Sequence, residues 1–197
     1  MTKLTPALLL SAYAQGYFPM AKSRHASKVE WYYPEERGIL PLEDFHVPKS
    51  LGKIARKAPY KITMDKDFRA VINACADAPR EKDGGTWIND EIIEAYCALH
   101  AMGHAHTVEV WNEGSLVGGL YGVSLGRAFF GESMFSTAPN ASKLSLVHLV
   151  EWLRANNYTL LDTQYVNDHL LQFGVQAIVR DEYLKRLAEA LNTNNTL

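Results

Sequence analysis

A chain of 197 residues can bury one sizeable core, with room for a small second unit. Its net charge of −2 excludes a broadly cationic surface, so any contact with nucleic acid has to use a local patch. Cys75 and Cys97 lack metal-ligand spacing and follow no secretory signal, and the Leu8-Leu9-Leu10 run is too short to span a bilayer, so a cytoplasmic soluble protein with buried, reduced thiols is expected.

Thr5-Pro6 opens a helix, with Thr as N-cap, Pro at the first helical position, apolar residues to Tyr13 and Gly16 as the stop. Tyr17-Phe18-Pro19-Met20 is apolar but broken by proline, which reads either as a loop plugged into the core or as a ligand contact. Residues 21–28 are polar and expected in a mobile loop, and residues 30–34 and 37–42 look like two short strands around a turn. Pro48-Lys49-Ser50 opens a helix to about Lys57. It places Lys49, Lys53, Arg56 and Lys57 close to one face, with Lys61 just beyond. Such a face is either solvated or a phosphate-binding patch, and the lack of any acid from residue 45 to 64 favours the patch.

Residues 61–64 read as a strand and Asp67–Ala76 as a helix with Phe68, Val71, Ile72 and Cys75 inward. The charged stretch Ala78–Gly85 is expected to be an exposed, mobile loop. After Thr86-Trp87-Ile88, Asn89 caps a helix from Asp90 to about Met102, and Gly103 ends it. An antiparallel meander follows: strand Thr107–Trp111, a turn at Asn112-Glu113-Gly114, strand Leu116–Ser124, a turn at Leu125-Gly126-Arg127, and strand Ala128–Gly131, which delivers Glu132. Gly118, Gly119, Gly122, Gly126 and Gly131 would weaken these strands, so a ligand or another backbone is expected to come close there.

A long helix from Asn140 to about Asn156 is apolar on more than one side, as suits packing on a sheet. Residues 158–162 form a strand that ends in Asp162-Thr163-Gln164, followed by a short helix over Asn167–Phe173, a strand at 175–179, a helix over Arg180–Leu191 and a disordered tail from Asn192. The order of elements predicts an α+β three-layer domain around a mostly antiparallel sheet.

Three polar groups stand at the ends of apolar strands: Glu132, Asp162 and Gln164. Two residues apart, Asp162 and Gln164 face the same way if the strand continues. A carboxylate that orients an amide or amine beside a cleft of Leu and Phe supports acyl transfer by positioning rather than covalent catalysis. The alternative is strand-end capping of loop N–H groups. No nucleophile elbow, phosphate-binding loop or dinucleotide glycine pattern occurs. His104 and His106 form a His-x-His pair without a partner in register, more in keeping with strand-edge histidines than with a metal site.

Nine ordered blocks carry a family resemblance: Tyr17-Phe18-Pro19-Met20, Trp31-x-x-Pro-x-x-Arg37-Gly38, Phe45-His46, Thr86-Trp87-Ile88, His106-Thr-Val-Glu109-Val-Trp111, Leu116-Val-Gly-Gly-x-Tyr-Gly122, Gly131-Glu-Ser-Met-Phe-Ser136, Ala141-Ser-Lys143 and Asp162-Thr-Gln164. Together they resemble the leucyl/phenylalanyl-tRNA–protein transferases. The resemblance implies a GNAT-like (acetyltransferase-like) catalytic domain over residues 46–197, preceded by a small helix and strand unit over residues 1–45. It implies transfer of Leu or Phe, and less well Met, from aminoacyl-tRNA to the N-terminal Arg or Lys of acceptor proteins, marking them for N-end rule degradation. Neither cofactor nor metal nor membrane is implied, and a monomer is expected.

The same resemblance assigns roles. Asp162 orients Gln164, which positions or polarises the nucleophile, while Glu132 and Asn167 face the basic acceptor. Leu120, Phe129, Gly131, Met134, Leu149, Leu153 and Leu161 form the aminoacyl pocket. Trp87 and Tyr96 are candidates for stacking on the tRNA 3′ end, and Lys49, Lys53, Arg56 and Lys57 for contact with the acceptor stem. This chain departs from the family in its shorter lead-in, in Thr163 where Cys is frequent, and in Met20 where some members carry Trp. An acetyl-CoA-dependent N-acyltransferase of the same fold would need a glycine-rich turn before Ser142, where residues 137–141 hold no glycine. A plain RNA-binding module would explain the basic face but not the acids.

Overall fold

A computed structural model describes residues 3–79 and 85–192; residues 80–84 of the expected loop and 193–197 of the expected tail lie outside the described residues. In chain order the elements are α1 (Pro6–Ala14), β1 (Phe18–Ala21), β2 (Val29–Tyr32), β3 (Glu36–Ile39), α2 (Lys49–Lys57), β4 (Lys61–Met64), α3 (Phe68–Asp77) and α4 (Asp90–Ala101). They continue with β5 (Ala105–Asn112), β6 (Ser115–Leu125), β7 (Ala128–Ser136), α5 (Ala141–Ala155), β8 (Leu160–Gln164), α6 (Asp168–Leu171), β9 (Gln176–Val179) and α7 (Arg180–Leu191). Thr5, Asp67, Asn89 and Asn167 each cap a helix by accepting a backbone N–H three residues on. Among the described residues no helix is long and apolar enough to cross a membrane.

Seven strands form one sheet in the order β4-β5-β6-β7-β8-β3-β9, and β1 and β2 form a separate ribbon. All neighbours in the sheet are antiparallel except β7 and β8, which α5 joins as a parallel pair. The β5–β6 hairpin turns on Glu113 and Gly114, at φ 49° and 84°. Both left-handed, they match the right-handed twist of the strands. One face of the sheet carries α1, α3, α4 and α7 around Tyr13, Val71, Ile92 and Leu187; the other carries α2 and α5 around Leu51, Leu144 and Val150. The molecule is thus a mixed α+β domain with a large, mostly antiparallel sheet.

Three expectations change. Residues 30–34 and 37–42 do not pair with each other. Instead β2 pairs with β1, while β3 enters the large sheet between β8 and β9, on the N-terminal side of the expected boundary at 45. Arg37 explains the departure, because its buried guanidinium finds its partner on β8. Tyr17-Phe18-Pro19-Met20 is no loop; Phe18 onwards is a strand, and Pro19 is tolerated because a two-stranded ribbon is all edge. Finally, β7 runs past Gly131 to Ser136, with one residue in excess. Tyr121 pairs with Ser133 and Gly122 with Gly131, which leaves Glu132 on a bulge.

The glycines of β6 and of the turn that follows it answer to the fold rather than to a ligand. A Cβ at Gly118 would stand 2.5 Å from that of Ala141 on α5, one at Gly122 would collide with the Phe129 ring, and one at Gly126 would stand 2.7 Å from the Ala190 carbonyl oxygen.

Candidate active site

Arg37 and Asp162 are 1% and 0% exposed, and such buried charges persist only when paired and fully hydrogen-bonded. Arg37 Nε donates to Asp162 Oδ1 at 2.9 Å and Nη2 to Oδ2 at 2.7 Å, while Nη1 donates to the Gly16 carbonyl at 2.8 Å. The guanidinium lies between the rings of Phe18 and Tyr183, 4.5 and 4.6 Å from their centroids. Tyr183 Oη donates to Asp162 Oδ2 at 2.7 Å, and the Gln164 backbone N–H donates to Oδ1 at 2.8 Å. Burial raises the Tyr183 pKa well above its ordinary value, and the Asp162 charge adds to it, so the phenol stays a donor.

That backbone contact is the one Asp162 makes with Gln164. The two side chains do not meet as equals on one strand face, because the strand stops extending at Gln164, whose φ is +57°. Tyr165 N–H returns to the Thr163 carbonyl at 2.6 Å and closes a tight turn around it. Gly38, opposite Gln164, leaves room for the turn: a Cβ there would lie 2.6 Å from the Tyr165 carbonyl carbon. A left-handed residue of this kind stores strain of order 1–3 kcal/mol, held by its surroundings. Asp162 is therefore closed off from solvent and holds the Gln164 backbone.

The Gln164 side chain points to Glu132, its Nε2 donating to Oε1 at 3.0 Å. Tyr13 Oη, brought in by α1, donates to the same oxygen at 2.6 Å, and Tyr96 Oη lies 3.4 Å from Oε2. The two phenols are also hydrogen-bonded to each other. Burial, then the charge of Glu132, raises both phenol pKa values well above the ordinary one, so both remain protonated. Glu132 itself is pushed up to about 7. Burial is the main cause and the Asp162 charge adds to it, against the hydrogen bond from Tyr13, the charge of Arg37 and the hydrogen bond from Tyr96. Glu132 and Asp162 thus belong to one chain of contacts through Gln164, but only Glu132 is partly open to solvent.

Beside Glu132 lies a cavity of about 460 Å³. It opens because β7 and β8 pair only from Ala128 to Phe130; beyond that point β7 continues and β8 turns away. Of the seven residues assigned to the aminoacyl pocket, Leu120, Gly131, Met134, Leu149 and Leu161 line this cavity. Phe129 and Leu153 do not: both are 0% exposed, one layer behind the wall in the core under α5. Leu146 and Ser142 take that place instead, in line with Leu149 along α5. Asn167 lines the mouth, with Oδ1 already accepting from Leu170 N–H at 3.0 Å. His169, which no sequence pattern singles out, lines the cavity too. Its Nε2 is buried without a hydrogen-bond partner among the described residues, and burial, then Lys143, lowers its pKa.

Tyr96 is fully buried, so no face of its ring is left for a base, and its place is with Tyr13 and Glu132. Trp87 is half-buried against the core, and its carbonyl accepts from Ala21 N–H at the end of β1. Lys49, Lys53, Arg56, Lys57 and Lys61 are all exposed, and none has an ion-pair partner among the described residues. His106 Nδ1 lies 2.7 Å from Asp65 Oδ2, and among the described residues no group of His, Cys, Asp and Glu is arranged to hold a metal ion. Cys75 is buried but Cys97 only half so, with its thiol pKa raised by burial; neither is in a disulfide. Of the residues that build the site, Arg37, Tyr13 and Tyr183 escape sequence reasoning. The signals for Arg37 are its place in the block Trp31-x-x-Pro-x-x-Arg37-Gly38 and its charge at the head of an otherwise apolar run.

Residues 39–188 match the family described as leucyl/phenylalanyl-tRNA protein transferase, and residues 2–35 match the N-terminal domain of that family. A leucyl/phenylalanyl-tRNA–protein transferase of Paramagnetospirillum magneticum is 54% identical over 97% of this chain and 91% of its own length. One of Zymomonas mobilis is 52% identical over 96% of this chain and 70% of its own. Among solved structures, FemX superposes over 90% of this chain and 70% of its own with a TM-score of 0.54 at 12% identity, a likeness of fold.

Proposed function

The chain belongs to the leucyl/phenylalanyl-tRNA–protein transferase family, an aminoacyltransferase acting from tRNA to protein, and on that footing we propose how its cavity and acids divide the reaction. The fold is of the GNAT-like kind, with the N-terminal unit contributing Tyr13 and Arg37 to the site. Leu or Phe, and less well Met, of an aminoacyl-tRNA enters the apolar cavity, walled by Leu120, Met134, Leu149 and Leu161. The ester carbonyl then lies near Gln164, and Glu132 with Asn167 faces the N-terminal Arg or Lys of the acceptor. The product carries a new N-terminal Leu or Phe and is marked for N-end rule degradation. The enzyme works as a monomer in the cytoplasm, where charged tRNA is found.

The observation that carries this reading is the notch where β7 and β8 part. It sets a carboxylate and an amide at one end of an apolar cavity, an arrangement suited to a cationic amine beside an apolar acyl group. Holding two reactants in that geometry is worth up to about 7–11 kcal/mol of barrier without covalent catalysis. The cavity separates Leu and Phe from β-branched Ile by shape, and a misfit of one methylene is worth about 1–3 kcal/mol. Trp87 and the face of α2 hold the tRNA.

An acyl-CoA reading is disfavoured by the start of α5, where a pyrophosphate would sit. There the Ala141 N–H donates to the Ala138 carbonyl at 3.2 Å and the Ser142 N–H to Ser136 Oγ at 3.4 Å. The deciding experiment compares tRNAs charged with Leu, Phe, Met and Ile as donors to an Arg-initiated peptide. Transfer in the order Leu and Phe above Met above Ile is expected. Equal transfer of Ile would remove the pocket assignment, and no transfer at all, with a saturable thermal shift from acetyl-CoA, would favour the acyl-CoA reading.

A further inference from the structure

Transfer to an amine leaves one proton to be placed. A free α-amino group has a pKa of about 7.7–8.0, so much of the acceptor arrives as ammonium and must lose a proton before it can attack. We infer that Glu132 takes this proton from the acceptor α-ammonium, and that Tyr13, reaching over from α1, is the positioning residue that keeps Glu132 ionised to do so. The inference rests on the transferase reading above.

The other groups at the site are already occupied. Asp162 is fully buried, with its oxygens engaged by Arg37, Tyr183 and the Gln164 N–H. Gln164 is an amide and has no basic atom, and the Tyr13 and Tyr96 phenols are held protonated. Glu132 is partly open, lines the cavity, and is turned towards it by the bulge in β7. Oε1 accepts from Tyr13 at 2.6 Å and from Gln164 at 3.0 Å, whereas Oε2 has only the 3.4 Å contact with Tyr96. Oε2 is therefore the oxygen with capacity left.

The charged and titratable groups around Glu132 come from every side. They are Tyr13 on α1, Tyr96 on α4, Arg37 on β3 and Asp162 on β8, with His169 of α6 in the wall of the same cavity. Their balance, dominated by burial, puts Glu132 at about 7, within about one unit of a free α-amine. A proton can pass between groups so matched with little penalty.

In the step proposed, one N–H bond of the ammonium breaks and an O–H bond forms on Oε2. The freed lone pair attacks the ester carbonyl, the C–N bond forms and the bond from carbonyl carbon to ribose oxygen breaks. A second N–H proton goes to that leaving oxygen, and Glu132 returns its own proton to solvent before the next round. No oxidant, reductant or further reactant is needed.

Single-turnover transfer of leucine from Leu-tRNA to an Arg-initiated peptide tests this, followed from acid to mildly alkaline pH. The wild-type rate should fall as pH drops through about 7. Tyr13→Phe removes a donor to the charged form, so the midpoint should move up by roughly one pH unit while the alkaline plateau stays within about threefold. Tyr96→Phe, at a longer contact, should move it less, and both variants use the same peptide, so the acceptor's own ionisation cancels. Glu132→Gln should lower the plateau at saturating peptide by about 100-fold or more, beyond any rise in peptide KM from the lost charge. An unmoved midpoint in Tyr13→Phe would overturn the inference. So would a Glu132→Gln variant that changes only KM, or a midpoint that follows His169→Gln instead. If wild-type protein transfers nothing at any pH, the transferase reading itself is refuted.

Discussion

Asp162 and Glu132 stand on neighbouring strands and are joined through one glutamine, yet their surroundings give them opposite characters. Asp162 is closed off from solvent, bound to a guanidinium and surrounded by donors. Glu132 is partly open, has no cation in contact and accepts from a pair of phenols and the Gln164 amide. Two like residues a strand apart are thus set apart: one holds a strained backbone in place, the other lines the cavity, where we propose that it meets the substrate. The cavity repeats the pattern, with Leu149 and Met134 on its wall and Leu153 and Phe129 one layer behind. Support and contact are separate layers.

The largest test of this division is Arg37→Met. If the Arg37–Asp162 pair is structural, removing the cation strands a buried carboxylate and should lower stability by about 3–5 kcal/mol in a urea titration. Transfer should fall as well, because the Gln164 backbone loses its anchor. A variant that unfolds like wild type but cannot transfer would place Asp162 among the contact residues and erase the contrast.

Next in size is the paired truncation Leu153→Ala and Leu149→Ala. Both remove core methylenes, at about 2–5 kcal/mol for the fully buried Leu153 and less for Leu149, which already faces a void. Only Leu149→Ala enlarges the cavity directly, so it should raise the transfer of Phe relative to Leu by about tenfold. Should Leu153→Ala shift that ratio equally, the two-layer description of the pocket fails.

Glu132→Gln should act in the opposite direction on stability. A carboxyl whose pKa rises on folding, from about 4.3 unfolded to about 7, binds its proton more tightly in the native state. Its favourable contribution is present in full below the unfolded value and is lost as pH rises through about 7. Above neutrality the ionised Glu132 is therefore a burden of at most about 3–4 kcal/mol, which the neutral amide lifts. Melts at alkaline pH should show the variant more stable than wild type, and the difference should disappear near pH 4. A destabilised variant at alkaline pH would mean that Glu132 is a second structural acid.

How much of the molecule is legible in the sequence depends on distance along the chain. The start and stop of α1 and the Glu113-Gly114 turn are local signals, and the chain follows them. The pairing of Arg37 with Asp162 spans 125 residues and that of Tyr13 with Glu132 spans 119, and no spacing rule reaches so far. The bulge at Glu132 is equally hidden, since one extra residue in β7 shows only against its register with β6. The β6 glycines do signal close approach, but what approaches Gly118 and Gly122 is α5 and a phenylalanine ring. Family resemblance names Asp162, Gln164 and Glu132 as one site, while the division of labour among them depends on burial, which only the fold decides.

The smallest expected effect on the fold belongs to the basic face of α2, where Lys49→Ala, Lys53→Ala and Arg56→Ala together remove three exposed charges. With no ion pairs to lose among the described residues, the triple variant should melt within about 0.5 kcal/mol of wild type per site. Transfer tells another story if these cations touch phosphate. Each cation that neutralises a phosphate should, on removal, flatten the slope of log affinity for tRNA against log salt by about 0.7–0.9. The chemistry beyond the bound complex should be untouched, so the single-turnover rate at saturating tRNA should stay at its wild-type value. The prediction sharpens the division between support and contact, because a contact surface proposed here would have no supporting role at all. An unchanged salt slope would make the α2 face a solvated one and leave Trp87 and the cavity as the sites that hold the donor.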